Sequence, residues 1–148
     1  MMPFKKILLT TDGSDYALAA AIQGLDLAKL MDADVTVMSI IDEGSDFAIR
    51  GFRRAAVEGY TYLDDKAKEA VDLVAKEAEK RGMSIMKIVK RGVPANEIID
   101  ASKDYDLVIM SSLGHTGLAH FLMGGVAEKV VRFASCPVLL VRPRGIHK

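Results

Sequence analysis

Residues 107–126, Leu107-Val108-Ile109-Met110-Ser111-Ser112-Leu113-Gly114-His115-Thr116-Gly117-Leu118-Ala119-His120-Phe121-Leu122-Met123-Gly124-Gly125-Val126, set a short apolar run against a stretch rich in small residues and glycine. The run Leu107 to Met110 reads as a strand buried on both faces. Small residues leaving such a strand let a ligand reach the main chain without meeting Cβ atoms. Val126, Val130, Val131 and Ala134 follow at helical spacing, so a helix opens at Gly124-Gly125. Its first turn offers unpaired N–H groups and the positive dipole end to an anion. Strand, small-residue segment and helix start together have the logic of a phosphate cradle. The segment lacks the lysine of G-x-x-x-x-G-K-[ST], and no G-x-G-x-x-G follows the first apolar run. Both absences argue against a P-loop NTPase and a dinucleotide dehydrogenase.

Working outward, the same alternation of strand and helix repeats. Ile7 to Thr11 is a strand ending in the turn cluster Asp12-Gly13-Ser14-Asp15. Leu18, Ala21, Ile22, Leu25 and Ala28 mark one face of a helix, and Val35 to Ile41 a second buried strand. Residues 42 to 60 have weak periodicity, several charges and three glycines, and predict a surface excursion. Within it, Arg50-Gly51-Phe52-Arg53-Arg54 reads as a solvated basic face. Ala67, Ala70, Val71, Val74, Ala75 and Ala78 mark the second helix, which Gly82 stops. Ile85 to Val89 is the third strand, and Pro94 sits in the first turn of the third helix, where a missing N–H costs nothing. Pro137 to Val141 is the last strand. The expected fold is α/β: an open five-stranded parallel sheet, doubly wound and Rossmann-like, forming a single domain over residues 1–148.

Bulk properties narrow the function classes. Twenty acidic residues balance twenty basic ones among 148, so no overall field favours nucleic acid or an anionic membrane. One cysteine, Cys136, excludes an intramolecular disulfide and fits a small core thiol. No apolar run reaches the roughly 18 residues that span a bilayer, and no secretory leader pattern opens the chain. A cytoplasmic location is the expectation.

Taken in order, Lys6-Ile7-Leu8-Leu9-Thr10-Thr11-Asp12-Gly13-Ser14, Ile41-Asp42-Glu43, Gly92-Val93-Pro94 and Asp106 to Met110 resemble the universal stress protein family. So do Gly124-Gly125-Val126-Ala127-Glu128-Lys129-Val130 and Cys136 to Val141, and the likeness runs over essentially the whole chain. The fold it implies is that of the adenine nucleotide alpha hydrolase-like group. The nucleotide-binding branch of that family carries G-x2-G-x9-G-[ST]. Its four marked positions fall here on Ser111, Gly114, Gly124 and Gly125, so the first glycine and the hydroxyl residue are both replaced.

The resemblance implies that Thr11, Asp12 and Ile40 line the adenosine side, with Met110, Ser111, Gly114, His115 and Thr116 along ribose and phosphate. Gly124, Gly125 and Val126 would cap the phosphates. Asp12 is the candidate for a ribose hydroxyl or a phosphate-bound Mg²⁺, since carboxylates suit that hard ion. Losing one charge-assisted hydroxyl contact costs about 1.5–3 kcal/mol, so ATP binding is expected to be weakened, with AMP or ADP penalised less. Blander roles stay open: Asp12 as a local turn cap, Gly124-Gly125 as a tight helix-on-sheet contact, and His115 as a solvated loop residue.

Three functions compete. The first is a nucleotide-responsive regulatory module of the stress response with an unknown protein partner. The resemblance also implies a homodimer through Pro137 to Val141, whose apolar edge would otherwise stand open to pairing. The second is a dimeric stress adaptor that no longer binds ATP, for which Ser111 and Gly125 speak. The third is an adenylating enzyme, weakened because the loop after strand one lacks the leading Ser-Gly of related ATP pyrophosphatases. No proton-transfer pair is legible, so any ATP hydrolysis should be slow.

Overall fold

The computed structural model describes residues 4–42, 46–113 and 125–142, with side chains for all of these except 46–61. Five strands and four α-helices alternate: β1 Lys6–Thr10, α1 Asp15–Met31, β2 Asp34–Asp42, α2 Asp46–Lys80, β3 Met86–Gly92, α3 Pro94–Ala101, β4 Leu107–Ser111, α4 Gly125–Phe133 and β5 Val138–Val141. A 3₁₀ turn, Ser102–Asp104, joins α3 to β4. All strand pairs are parallel and the sheet order is β3-β2-β1-β4-β5. This is the doubly wound α/β fold that the alternation predicts.

Strand pleating divides the core into two layers. Ile7, Leu9, Val35, Val37, Leu107 and Ile109 pack with Ala21, Leu25 and Ala28 of α1 and Val71, Val74 and Ala78 of α2. Their neighbours Leu8, Met38, Val108 and Met110 point the other way, onto Ile98 of α3 and Ala127 and Val130 of α4. The three central strands are therefore apolar on both faces. β3 differs from them: it lies at the sheet edge and is largely exposed, Met86 by 67%. Charge protects it, as Lys87 pairs with Asp72 at 2.9 Å and Arg91 with Asp64 of α2.

The surface excursion expected over residues 42–60 is a correction. Residues from Asp46 onward belong to α2, a single helix of 35 residues, about 52 Å long at 1.5 Å per residue. Buried Ala67, Ala70, Val71, Val74 and Ala78 anchor it to the sheet, and the helix runs on past them toward Asp46. Gly51 and Gly59 look like breaks, but a lone glycine costs a helix only about 1 kcal/mol.

Two backbone details fix the strand tips. Asp106, just before β4, accepts the N–H groups of both Lys5 and Lys6 at 2.9 Å, which pins the start of β1 to the start of β4. Those two backbone donors, Lys6 first, hold its carboxyl below the usual value of 3.8. Gly24 lies mid-way along α1, against the sheet. A Cβ there would stand 2.8 Å from Leu9 Cδ2 and 3.2 Å from Ile109 Cγ2, both on fully buried residues.

Gly24→Val should therefore overpack the α1–sheet contact and lower stability by about 1–3 kcal/mol in urea titration; an unchanged midpoint would contradict the contact. Because the Asp106 pKa is depressed on folding, its stabilisation is complete above the ordinary value and lost as pH falls through the folded value. Asp106→Ala should thus melt below wild type at pH 7, and the gap should close as pH drops below 3.8. A gap independent of pH would show that the carboxylate is not its source.

Candidate functional site

α1 leaves β1 toward one face of the sheet and α4 enters on the opposite face after β4, so the tips of these adjacent strands part. The crevice between them measures about 820 Å³ among the described residues, within the range of small-molecule sites. Its floor is built by the carboxyl ends of β1, β2 and β4: Thr10 and Thr11, Met38 to Asp42, and Met110 to Leu113.

The turn after β1 is held by its own side chains. Thr11 Oγ1 accepts the Gly13 N–H at 3.1 Å and Asp12 Oδ1 accepts the Ser14 N–H at 2.9 Å. Ser14 caps α1 by accepting the Ala17 N–H at 3.1 Å. Gly13 needs its glycine: φ is +84°, and a Cβ would touch Ala70 of α2 at 3.5 Å. Asp12 is thus a turn cap, as the blander role has it, and at the same time a wall of the crevice.

Of the residues singled out from sequence, Thr11, Asp12, Ile40, Met110, Ser111, Gly125 and Val126 all line this one crevice. Gly114, His115, Thr116 and Gly124 lie outside the described residues. Gly125 opens α4, and a Cβ there would meet nothing within 4 Å, so among the described residues no close packing demands glycine at this position.

The sequence did not single out Ser39, nor the wall contributed by α2 through Tyr62, Lys66, Ala67 and Ala70. Ser39 had a legible signal, a lone hydroxyl inside the apolar run of β2. The α2 wall had none, because periodicity shows which face of a helix is buried but not how far its upper turns reach over the sheet. Cys136 lies beside the α3–α4 layer, partly buried; burial, then the Asp106 charge, pushes its thiol up, away from a reactive thiolate.

Comparison with known proteins agrees with this geometry. The sequence model of the universal stress protein family matches residues 3–142. Universal stress protein MJ0531 of Methanocaldococcus jannaschii is 38% identical over 146 residues, covering 94% of this chain and 82% of the relative. The solved structure of hypothetical protein MJ0577 from the same organism superposes with a TM-score of 0.81 at 30% identity, covering 99% of this chain and 100% of that one. A universal stress protein family protein from Arabidopsis thaliana, solved with AMP bound, shares the fold at a TM-score of 0.61 and 17% identity, over 95% and 93% of the two chains. The chain belongs to the universal stress protein family.

Proposed function

We propose that the crevice binds an adenine nucleotide, AMP, ADP or ATP, and that the chain serves as a regulatory module of the stress response whose liganded state a protein partner reads. The observation that supports this most is the pairing of an apolar slot with a helix start in one crevice. Ile40, Met110 and Ile98 stand on the α3–α4 side, where a purine ring would bury its faces. Gly125, Val126 and Ala127, at the start of α4, share the same lining and present main-chain donors to anionic oxygens. AMP bound to a protein of the same fold supports the choice of base.

Under this assignment Asp12 meets the ribose, and Gly114, His115, Thr116, Gly124, Gly125 and Val126 the phosphates nearest to it. One carboxylate is enough for a Mg²⁺ carried in on ATP, so Asp12 is the group that would hold it, neutralising phosphate charge. The module works by binding, with no chemical step assigned to any side chain, and a cytoplasmic setting goes with that role. No helix among the described residues is long and apolar enough to cross a membrane.

We infer further that a second copy pairs along β5. The two sheet edges differ: β3 carries Lys87, Lys90 and Arg91, whereas β5 is Val-Leu-Leu-Val with Leu139 39% exposed. An uncharged edge of this kind invites strand addition.

Two measurements test these assignments. Titration calorimetry should give heat with AMP and ATP, and Gly125→Val should weaken ATP at least tenfold, about 1.4 kcal/mol, with adenosine and the melting temperature unchanged. No heat and no thermal shift with any adenine nucleotide would reject the proposal in favour of an adaptor with a silent pocket. Light scattering should find a dimer that Leu139→Lys shifts toward monomer; a wild-type monomer at every concentration would remove β5 as an interface.

A further inference from the structure

Side-chain alternation gives the crevice two unlike arms, and the nucleotide assignment uses only the one facing α3 and α4. On the opposite face, Leu9 of β1 stands level with Val37 and Ile109. Two residues further on, that face carries Thr11, Ser39 and Ser111. The Thr11 N–H donates to Met38 O at 3.0 Å, which keeps the strands in step to this level. Three hydroxyls thus stand abreast on β2, β1 and β4, on residues only 3, 6 and 7% exposed, and all three line the crevice.

Among the described residues, Thr11 and Ser111 act only as acceptors. Thr11 Oγ1 and Ser111 Oγ each accept a backbone N–H, from Gly13 and Leu113, both at 3.1 Å, so each has its O–H left to donate. Ser39, 3% exposed, turns its hydroxyl onto the same crevice. The walls above the row are small: Ala17 of α1 and Ala67 and Ala70 of α2.

Lys66 stands at the rim, its ammonium 5.8 Å from the Tyr62 ring. Its flank of α2 faces α1, because Glu77 on the same flank shares Arg81 with Asp26 of α1. Asp12, Asp42 and Glu69 also line the crevice and oppose an anion, which leaves Lys66 as the one cation among the described lining residues.

We propose that this second arm is a subsite for a phosphate group, held by hydrogen bonds donated from Thr11, Ser39 and Ser111 and by the charge of Lys66. The group comes either from the bound nucleotide, as its terminal phosphate, or from free inorganic phosphate. Ser39 and Lys66 separate this subsite from the nucleotide assignment, since neither takes part in that assignment.

The full chain, Ser39→Ala and Lys66→Gln should be titrated with adenosine, AMP, ATP and inorganic phosphate. Both variants should bind adenosine as wild type does and lose about tenfold or more in affinity for inorganic phosphate, for ATP, or for both. Ser39→Ala should melt no lower than wild type, because the hydroxyl it removes faces the crevice and not the packed core. Phosphate that adds to protein saturated with AMP identifies a separate anion. ATP alone weakened, with no phosphate adding, identifies the nucleotide's own tail. Unchanged ATP and phosphate affinities in both variants would overturn the subsite, as would a wild type that binds ATP no better than adenosine and phosphate not at all. Phosphate binding without any adenosine or AMP binding would remove the nucleotide assignment and leave the subsite standing.

Discussion

The parting of β1 and β4 at their carboxyl ends is the constraint on which the site depends. These two strands are hydrogen-bonded neighbours, with Leu9 level with Ile109. The chain leaves β1 for the layer of α1 and α2, and after β4 it enters the layer of α3 and α4. No side chain is needed to open the gap; strand order alone does so. The same order places one side of the crevice against an apolar layer and the other against a row of hydroxyls.

Rigidity beneath the gap comes from contacts that tolerate little change. Asp106 ties the start of β1 to the start of β4, so the register of the two strands that form the crevice is set at their far ends. Gly24 lets α1 lie close on Leu9 and Ile109, one layer below Thr11 and Ser111. Ser102 is fully buried and accepts the Ser135 N–H at 2.8 Å, which joins the end of α4 to the turn before β4. Each contact is local, and together they hold three strand tips at one level.

Much of this was legible in the sequence, for physical reasons that differ by element. β1, β2 and β4 are buried on both faces and so read as unbroken apolar runs. Thr11, Asp12, Ile40, Met110 and Ser111 follow from being at the ends of those runs, and Gly125 and Val126 from opening the next helix. What escaped was set by geometry beyond local pattern. The first turns of α2 carry glycines and charges and extend a helix whose packed part lies further along. Ser39 sits inside an apolar run and gains its meaning only from the register of Leu9 with Val37 and Ile109, two residues below it on the same face. Ile85 to Val89 reads as a strand, but its place at the edge does not show, because nothing in so short a run tells a central strand from an outer one.

The central claim is one of location: a purine in the apolar arm between β2, β4 and α3. Methyl-resolved NMR of the full chain during titration with AMP tests it most directly. The account predicts saturable shifts at the methyl groups of Ile40, Ile98 and Met110, with Val74 and Ala78, buried between α2 and the opposite face of the sheet, unmoved. Shifts confined to other parts of the sheet, or none at millimolar AMP, would contradict it.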